Sequence, residues 1–330
     1  MNALSLSLLN DFQRGFPLVS RPFQVLAAAC GTTEAEVLRT LSDSIAHGTV
    51  SRVGAVFAPG RVGVSTLAAL QVPRHRLEQV AAAVSARPQV NHNYAREHAF
   101  NLWFVAAGAE QAALDRLLGA IAADTQCALL DLPLVEEYRI DLGFDLTGRQ
   151  AKVNPPTRTN LSSSPLSEAE RRLLCALQDG LELVAQPFQA LARAAALTEH
   201  TVVRTIERWV AQGTIRRFGV IVRHHELGYR ANAMAVWDVP DALVDELGQR
   251  AACVPGVTLA YRRRRQRPSW PYNLFCMVHG KQRSEALATV QEVTGLARLG
   301  GYANAVLFSC RRFKQCGVRY LPRESVAAHG

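Results

Sequence analysis

Apolar and polar positions along this chain show two periodicities in turn, one typical of helices and one typical of strands. Apolar spacings of three and four predict short helices around residues 23–27 and 37–45. Thr33 and Glu36 form a T-x-x-E capping box for the second helix, and Gly48 ends it. The stretch TVSRVGAVF that follows predicts a strand. This order is typical of a winged helix-turn-helix.

A second set of elements follows the predicted wing. The patterns predict a strand (TLAALQVP), a helix (HRLEQVAAAVSA), two strands (VNHNYAR and NLWFVAA), a helix (EQAALDRLLGAIAA) and a last strand (CALLDLPLVEEYRI). The order βαββαβ is that of a ferredoxin-like module.

The whole pattern then occurs a second time. The segment that begins at Pro22 matches the one that begins at Pro187 with a constant offset of 165, VNHNYAR matches VTLAYRR at 167, and NLWF matches NLFC at 172. A period this long indicates a duplicated domain pair and not a solenoid. We expect an α+β fold in which duplicated winged helix-turn-helix and ferredoxin-like βαββαβ (AsnC-type) modules form an internal pseudo-dimer.

The predicted boundaries follow from the repeat. The first copy has a helix-turn-helix domain at 1–60 and a ferredoxin-like domain at 61–146; the second has them at 166–225 and 226–330. Residues 147–165, rich in Pro, Ser and Thr, are predicted to be a linker. A small helix-turn-helix followed by βαββαβ resembles the Lrp/AsnC family of regulators over nearly the whole chain, twice.

Charge is distributed unevenly between the copies. The net charge is +9, yet residues 1–150 carry 12 Arg and no Lys against 14 acidic residues, a net −2, and the remainder has a net +11. The basic half would attract an anion, either nucleic acid or a polycarboxylate.

Cysteine usage and hydropathy favour a cytoplasmic protein. The seven cysteines form no CxxC pair, which is typical of reduced thiols, and we expect no metal site made by the protein itself. No apolar run approaches the roughly 18–20 residues of a membrane span, and no signal peptide is recognised. We therefore expect no membrane association.

The predicted recognition helices are poorly suited to DNA. TEAEVLRTLSDSIAH has two Glu and one Asp against a single Arg, and TEHTVVRTIERWVAQ sets Glu199 and Glu207 against Arg204 and Arg208. Phosphate contacts dominate affinity for DNA, so acidic helices oppose binding. No functional DNA binding is expected.

One strand carries a row of chemically active side chains. In VNHNYAREHAFNLWF, residues His92, Tyr94, Arg96 and His98 occupy alternate positions, which share one face of a strand. The second copy has Leu259 where the first has His92, and then a run of arginines between residues 262 and 267 followed by Trp270 and Tyr272. Arginine binds carboxylates in a bidentate manner and aromatic rings cover flat ligands, so a large planar polycarboxylate would suit these residues, as would nucleic acid.

At these residues a narrower resemblance emerges. HNYAREHAFNLWF looks like the first subunit type of the siroheme decarboxylases, and both RRFGVIVRHHELGYRANAMAVWDVP and RPSWPYNLFCMVHG look like the second type. This resemblance implies a fused chain that converts siroheme to didecarboxysiroheme by loss of two acetate carboxyls, on a route to the modified heme of denitrification or to heme. It also implies no added cofactor, because the iron is carried by the substrate.

The resemblance and the residue chemistry together give a set of candidate site residues. A proton must reach the carbon that loses carbon dioxide, and imidazole is the natural donor near neutral pH. His92 and His98 are therefore the candidate catalytic residues, one of which would contact the siroheme iron. The candidate substrate-binding residues are Tyr94, Arg96, Asn101, Trp103, Tyr261, Arg263, Arg264, Arg265, Trp270, Tyr272, His224 and Arg230.

Three questions stay open at the level of sequence: the number of competent pockets, the partners and the function. Leu259 leaves the second copy without one proton donor. Either a single pocket on the first copy's strand face, completed by arginines of the second copy, performs both steps, or a second pocket uses another residue such as His224. The candidate partners are the tetrapyrrole, homologous decarboxylase subunits or a second copy of the chain. The alternative functions are a ligand-responsive regulator and a non-catalytic heme carrier.

Overall fold

The computed structural model of the protein describes residues 3–58, 60–140, 166–222 and 231–321. The helices in these ranges are α1 (Ala3–Asp11), α2 (Pro22–Cys30), α3 (Glu34–Ala46), α4 (Leu77–Ser85), α5 (Gln111–Thr125), α6 (Glu168–Leu177), α7 (Pro187–Ala195), α8 (Glu199–Ala211), α9 (Val244–Ala252) and α10 (Arg283–Leu296). The strands are β1 (Val50–Phe57), β2 (Val64–Gln71), β3 (Val90–Arg96), β4 (Leu102–Gly108), β5 (Ala128–Ile140), β6 (Ile215–Val222), β7 (Ala231–Trp237), β8 (Val257–Arg263), β9 (Leu274–Gly280) and β10 (Asn304–Gln315). The predicted linker, His224 and Arg230 lie outside the described residues.

The two helix-turn-helix units are joined into one body by their wings. Strand β1 pairs antiparallel with β6, with Gly54 opposite Gly219. A Cβ on Gly219 would lie 2.3 Å from the carbonyl oxygen of Phe12, so only glycine allows this close approach. Leucines and phenylalanines of both units share one hydrophobic core. Because the wings pair with each other, they form an internal contact between the copies.

The local signals for the helices agree with the caps that form. Thr33 precedes α3, and its hydroxyl accepts a hydrogen bond from the backbone N–H of Glu36. The Glu36 carboxylate accepts from the hydroxyl of Thr32 instead of closing the reciprocal half of the predicted box. A complete capping box, Ser167 with Glu170, begins α6.

The ferredoxin-like halves close into one barrel. Its strand order is β10-β3-β4-β2-β5-β8-β9-β7, with β7 returning to β10. The closing pairs are β5 with β8 and β10 with β3, so the last strand of each copy is extended onto the other copy's sheet. The predicted α+β pseudo-dimer is confirmed, and the exchanged strands make it a single closed sheet.

The helices cover the outside of the barrel and large side chains fill its middle. Helices α4 and α5 pack on the first copy's sheet, and α9 and α10 on the second. The interior cluster contains Trp103, Trp270, Tyr261, Phe275 and Met277, together with leucines of both copies. Among the described helices, none is both long and apolar enough to cross a bilayer.

The barrel has two rims, and these locate the site. All neighbouring strands are antiparallel. The starts of β2, β3, β7 and β8 therefore lie at one end with the ends of β4, β5, β9 and β10, and we call this end the first rim. The opposite end, with the β3–β4 turn and the β8–β9 hairpin, is the second rim.

Candidate active site

Three of the four predicted side chains share the inner face of β3. His92 lies opposite Val105, and Tyr94 lies opposite Trp103. Trp103 belongs to the interior cluster and Val105 packs against it. Arg96 follows on the same face, with its guanidinium carbon 6.0 Å from the Tyr94 ring centre. The predicted face is thus formed by His92, Tyr94 and Arg96, with His92 nearest the first rim.

The expectation that His98 continues this face is wrong, because β3 ends at Arg96. His98 lies in the turn at the second rim, where its ring packs 5.3 Å from that of Trp270 and its Nδ1 accepts from the backbone N–H of Phe100. Burial lowers the pKa of His98, which favours the neutral ring. The strand between the two histidines is about 13 Å long at roughly 3.3 Å per residue. A catalytic role for His98 stays a prediction that the geometry does not support.

The His92 ring is held by its neighbour in the chain. Its Nδ1 lies 2.9 Å from Oδ1 of Asn91, a residue that is 1% exposed. Since an amide oxygen only accepts, Nδ1 carries the hydrogen and the lone pair lies on Nε2. A β-bulge between Val90 and His92 makes this arrangement. In the neutral ring, Nε2 is therefore the nitrogen that can take up a proton.

Arg96 and its counterpart Arg263 in the second copy make the same kind of contact. The Arg96 guanidinium donates to the carbonyl oxygen of Leu307 at 3.1 Å, and that of Arg263 donates to the carbonyl oxygen of Leu132 at 2.7 Å. Burial lowers the pKa of Arg96 to about 10, so it is still a cation at neutral pH. Each arginine ties its sheet to the strand that crosses from the other copy. Their predicted contact with substrate stays a prediction.

Asn101 and Asn273 are equivalent residues of the two copies, and the side chain of each hydrogen-bonds the backbone of a neighbouring segment. The side-chain amide of Asn101 accepts from the N–H of Val72 and donates to its C=O, both at 2.9 Å. Asn273 bonds the N–H and C=O of Val239 in the same way, at 3.0 and 2.9 Å. Both polar ends of Asn101 are thus engaged by the backbone, which favours a structural role over the predicted substrate contact.

The two inner faces differ where the crossing strands meet them. Gln315 pairs with His92 and Arg312 with Tyr94; in the other half, Ile140 pairs with Leu259 and Glu137 with Tyr261. The matching positions of β5 and β10 differ by 175. The arginines and asparagines that occur in both halves tie the barrel together. Where the halves differ, the first face has the basic residues His92 and Arg312, and the second face has Leu259 and Glu137.

The acidic position of the second face is occupied by an internal partner. Both oxygens of the Glu137 carboxylate accept from the guanidinium of Arg216 on β6. The two side chains are 18% and 19% exposed. This pair joins the helix-turn-helix body to the barrel, so the second face has a neutralised ion pair where the first face has the cation of Arg312. A polycarboxylate would therefore favour the first face.

The arginine run that was expected to complete the site lies at the second rim. Arg265 contacts Asp238 and Asp241, and Arg262 contacts Asp241 and Asp245. Arg264 is exposed. The expectation that these arginines lie beside His92 is wrong, because the β8–β9 hairpin points away from the first rim. A role of Arg264 and Arg265 in substrate binding stays a prediction.

Most of the predicted ring-packing residues belong to the barrel interior. Trp103 is 2% exposed and its indole N–H donates to Phe100 O at 2.7 Å. Trp270 is fully buried, with ring centres 5.0 Å from both Trp103 and Tyr272. Tyr261 is 7% exposed and stacks on Phe275. Tyr94, half-buried beside His92, is the predicted aromatic residue best placed to face a ligand at the first rim.

Sequence reasoning missed Arg312, Gln315 and His279. The first two lie on the last strand, which crosses to the first copy only in the folded barrel. The available signal was the contrast between Arg311-Arg312 and Glu136-Glu137 at matching strand ends. His279 lies on the inner face of β9, two positions beyond Met277.

A cavity of about 620 Å³ lies elsewhere, beside α6 and α7. Its walls mix Arg171 and Arg172 with Glu168, Asp179 and Glu182. The two signs offset each other, and the walls lack an imidazole. The cavity does not have the cationic character of the β3 face.

The second of the helices that would read DNA, α8, holds two arginines in ion pairs. Arg208 contacts Glu170 at 2.6 Å and Arg204 contacts Glu207 at 2.9 Å. Each pair neutralises a charge that a phosphate would need. The paired wings place both helix-turn-helix units in internal packing, and the expected lack of functional DNA binding stays a prediction.

Fold and face together define the class of protein: a duplicated AsnC-type barrel with one cationic inner face that presents an imidazole. The family models agree. The AsnC-like ligand binding domain matches residues 61–139 and 226–314, and the siroheme decarboxylase NirDL-like HTH domain matches residues 6–50 and 170–216.

Known relatives narrow the class to one family. The siroheme decarboxylase NirDL subunit of Paracoccus denitrificans is 43% identical over 317 residues, which cover 96% of this chain and 97% of that one. The siroheme decarboxylase NirD subunit of Stutzerimonas stutzeri is 50% identical over 44% of this chain and 96% of its own length. A crystal structure of NirDL in complex with an iron-uroporphyrin III analogue superposes with a TM-score of 0.68 at 29% identity, covering 96% of this chain and 93% of that one. The chain belongs to the siroheme decarboxylase family.

Proposed function

We propose that the protein removes two acetate carboxyls of siroheme as carbon dioxide and so yields didecarboxysiroheme, as a carboxy-lyase. The observation that carries this proposal is the asymmetry of the barrel: His92, Tyr94 and Arg312 gather on one inner face, and Leu259 and Glu137 take the matching places on the other. Family membership supplies the substrate, because relatives of this chain are named siroheme decarboxylases.

The inner face of β3 would orient the acetate that reacts. Arg312 binds a substrate carboxylate through charge-assisted hydrogen bonds, and Gln315 holds the arginine, its Oε1 lying 3.2 Å from the guanidinium. Tyr94 packs against the flat ring. The buried Arg96 adds positive potential behind the face. Held in this way, the acetate methylene lies within reach of the His92 ring.

The chemical step needs an electron acceptor and a proton. The bond between the methylene carbon and the carboxyl carbon breaks, carbon dioxide leaves, and the electron pair passes into the conjugated ring of the substrate. His92 in its protonated form then delivers a proton from Nε2 to the methylene carbon, which becomes a methyl group. Asn91 stabilises this form by accepting from Nδ1–H. The step is redox-neutral, so we propose that it uses no cofactor beyond the substrate itself.

One chain supplies both halves of the site in this proposal. The first face needs β3 of one copy and β10 of the other, and both lie in the same polypeptide. The separate NirD and NirL subunits among the relatives each cover less than half of this chain. We therefore expect the chain to act without an added subunit.

The test is anaerobic incubation of the purified chain with siroheme, followed by mass spectrometry of the product. Loss of the mass of two carbon dioxide molecules supports the proposal, and an unchanged substrate mass refutes it. Tight binding without a mass change would indicate a carrier. His92→Gln should bind an iron tetrapyrrole and fail to convert it; full conversion by this variant would move the proton donor elsewhere.

A further inference from the structure

The last described residues of the chain, 316–321, run from the β3 face to the helix-turn-helix body, and we call them the strap. They continue β10 past the residue that pairs with His92. At the near end of the strap, the backbone N–H of Cys316 donates to the carbonyl oxygen of Asn91 at 2.8 Å. At the far end, Tyr320 is buried in the core of the helix-turn-helix body. The strap therefore joins this body to the residue that holds the His92 ring.

A buried glutamine directly after α6, Gln178, binds the far end of the strap. Its Oε1 accepts from the backbone N–H groups of Tyr320 and Leu321 at 2.7 and 3.1 Å, and its Nε2 donates to the carbonyl oxygen of Leu321 at 3.2 Å. Gln178 is 3% exposed. The neighbouring carboxylate of Asp179 accepts from the guanidinium of Arg319 at 2.6 Å. Because loss of the glutamine would leave buried backbone groups without partners, it is the main anchor of the strap.

The middle of the strap fits closely between the barrel and the helix-turn-helix body. A Cβ on Gly317 would lie 2.7 Å from Nη1 of Arg52 on β1 and 3.2 Å from the carbonyl oxygen of Gln178. A Cβ on Gly63, just before β2, would lie 2.5 Å from the ring of Tyr320. Close packing of this kind leaves the strap little freedom, so a displacement at its far end is passed on to its near end.

The near end acts on Asn91 through the backbone. Asn91 lies in the β-bulge between Val90 and His92, which takes it out of register with β4. Its Nδ2 is buried without a hydrogen-bond partner among the described residues, so the position of its amide depends on its backbone. The N–H of Cys316 holds that backbone. Without this hydrogen bond the bulge could shift, Oδ1 would leave Nδ1 of His92, and the neutral ring would populate both tautomers.

The first copy has a matching glutamine in a different setting. At the repeat offset of 165, Gln13 corresponds to Gln178. It is 4% exposed, and its Oε1 accepts from the guanidinium of Arg217 at 3.2 Å. Strand β5, the counterpart of β10, ends opposite Leu259 and not opposite an imidazole. Gln13 is therefore a buried glutamine of the same body that does not anchor the strap beside His92.

We propose that Gln178 is a positioning residue for His92, which acts through the strap and Asn91, and that holding this imidazole is a function of the helix-turn-helix body. The inference rests on the proposed function, in which His92 delivers the proton. The role is indirect: Gln178 sets the tautomer of the ring and the place of its Nε2. A body whose wings pair internally thus contributes to the reaction.

The experiment compares Gln178→Met, which keeps the side-chain volume and removes the hydrogen bonds, with Gln13→Met and Gln178→Glu. Two-dimensional ¹⁵N NMR of the histidine rings in the substrate-free chain reports their tautomers at about pH 8, where a free imidazole is neutral. The spectrum of His92→Gln identifies the His92 signals. His92 should carry its hydrogen on Nδ1 in the wild type and in Gln13→Met, and should show both tautomers in Gln178→Met. Gln178→Glu keeps the acceptor for two N–H groups and should restore the wild-type pattern.

Kinetics with siroheme supply the second measurement. The kcat for loss of carbon dioxide should fall by about five- to 100-fold in Gln178→Met, because misplacing a reacting group by about 1 Å can cost about 10² in rate. Affinity for iron-uroporphyrin III should stay within about threefold of the wild type, since Arg312 and Tyr94 are unchanged. Gln178→Glu should recover most of the lost kcat.

A second pair of variants covers the case in which Gln178→Met does not fold, as judged by unfolding in urea. Cys316→Pro removes the N–H that the carbonyl oxygen of Asn91 accepts, and Cys316→Ala keeps it. Both tautomers of His92 should appear in the proline variant and only the Nδ1–H form in the alanine variant.

An unchanged His92 tautomer in folded Gln178→Met, or the same mixture in Gln13→Met, overturns the inference and leaves the proposed function standing. A fall in kcat of less than about fivefold has the same consequence. A wild-type chain that binds the tetrapyrrole without converting siroheme refutes the proposed function, and the NMR comparison then still decides whether Gln178 holds the ring.

Discussion

Arg312 offers the sharpest test of how the barrel creates its site. It comes from the second copy, lies opposite Tyr94 and has Glu137 as its counterpart. Arg312→Ala removes a charge-assisted contact, which is worth about 1.5–3 kcal/mol when a ligand covers it. At about 1.4 kcal/mol for each factor of ten, affinity for an iron tetrapyrrole polycarboxylate should fall about ten- to 150-fold.

The assay is an absorbance titration with iron-uroporphyrin III at low salt, since added salt screens an exposed arginine. Glu137→Ala is the matched control, because it changes the equivalent place on the other face. It should cost stability through the loss of the Arg216 contact and leave the affinity unchanged. Arg312→Lys should fall between alanine and wild type, since lysine keeps the charge but not the planar fork. An affinity change below about threefold in Arg312→Ala, or an equal loss in Glu137→Ala, would refute the reasoning.

Other features of the fold give three more predictions. Asn101→Ala and Asn273→Ala should each lower the free energy of unfolding in urea by about 2–4 kcal/mol, since each leaves a backbone N–H and C=O without partners; a loss of substrate affinity at unchanged stability would contradict this. Burial lowers the pKa of His98, so the unfolded chain takes up its proton first and stability should fall as the pH drops below the ordinary imidazole range. His98→Phe keeps the ring packing on Trp270 and should flatten this slope between about pH 7.5 and about pH 5.5; parallel slopes would count against the burial argument. Gly219→Ala should destabilise by about 1–3 kcal/mol because its Cβ would lie 2.3 Å from a backbone oxygen, whereas Gly295→Ala, with nothing within 4 Å in α10, should stabilise the helix; equal melting shifts would show that the crossing at Gly219 yields easily.

Residues that lie close together in the chain could be placed from the sequence. The shared face of His92, Tyr94 and Arg96 follows from the two-residue period of a strand, and the confirmed α+β pseudo-dimer follows from repeated short-range patterns. The same rule failed at His98, because a period cannot say where a strand ends. The position of the arginine run was also predicted wrongly, because its aspartate partners, which include Asp238 and Asp241, lie in another segment of the chain.

The sequence by itself therefore determined the order of the elements, the duplication and the kind of chemistry that the chain carries. Only the tertiary structure decided which residues meet. Strand β10 crosses to the first copy and brings Arg312 to Tyr94, and barrel closure places His92 and His279 at one rim and His98 at the other. The physical reason is range: spacing and capping act over a few residues, whereas the register between distant strands is set by packing of the whole barrel.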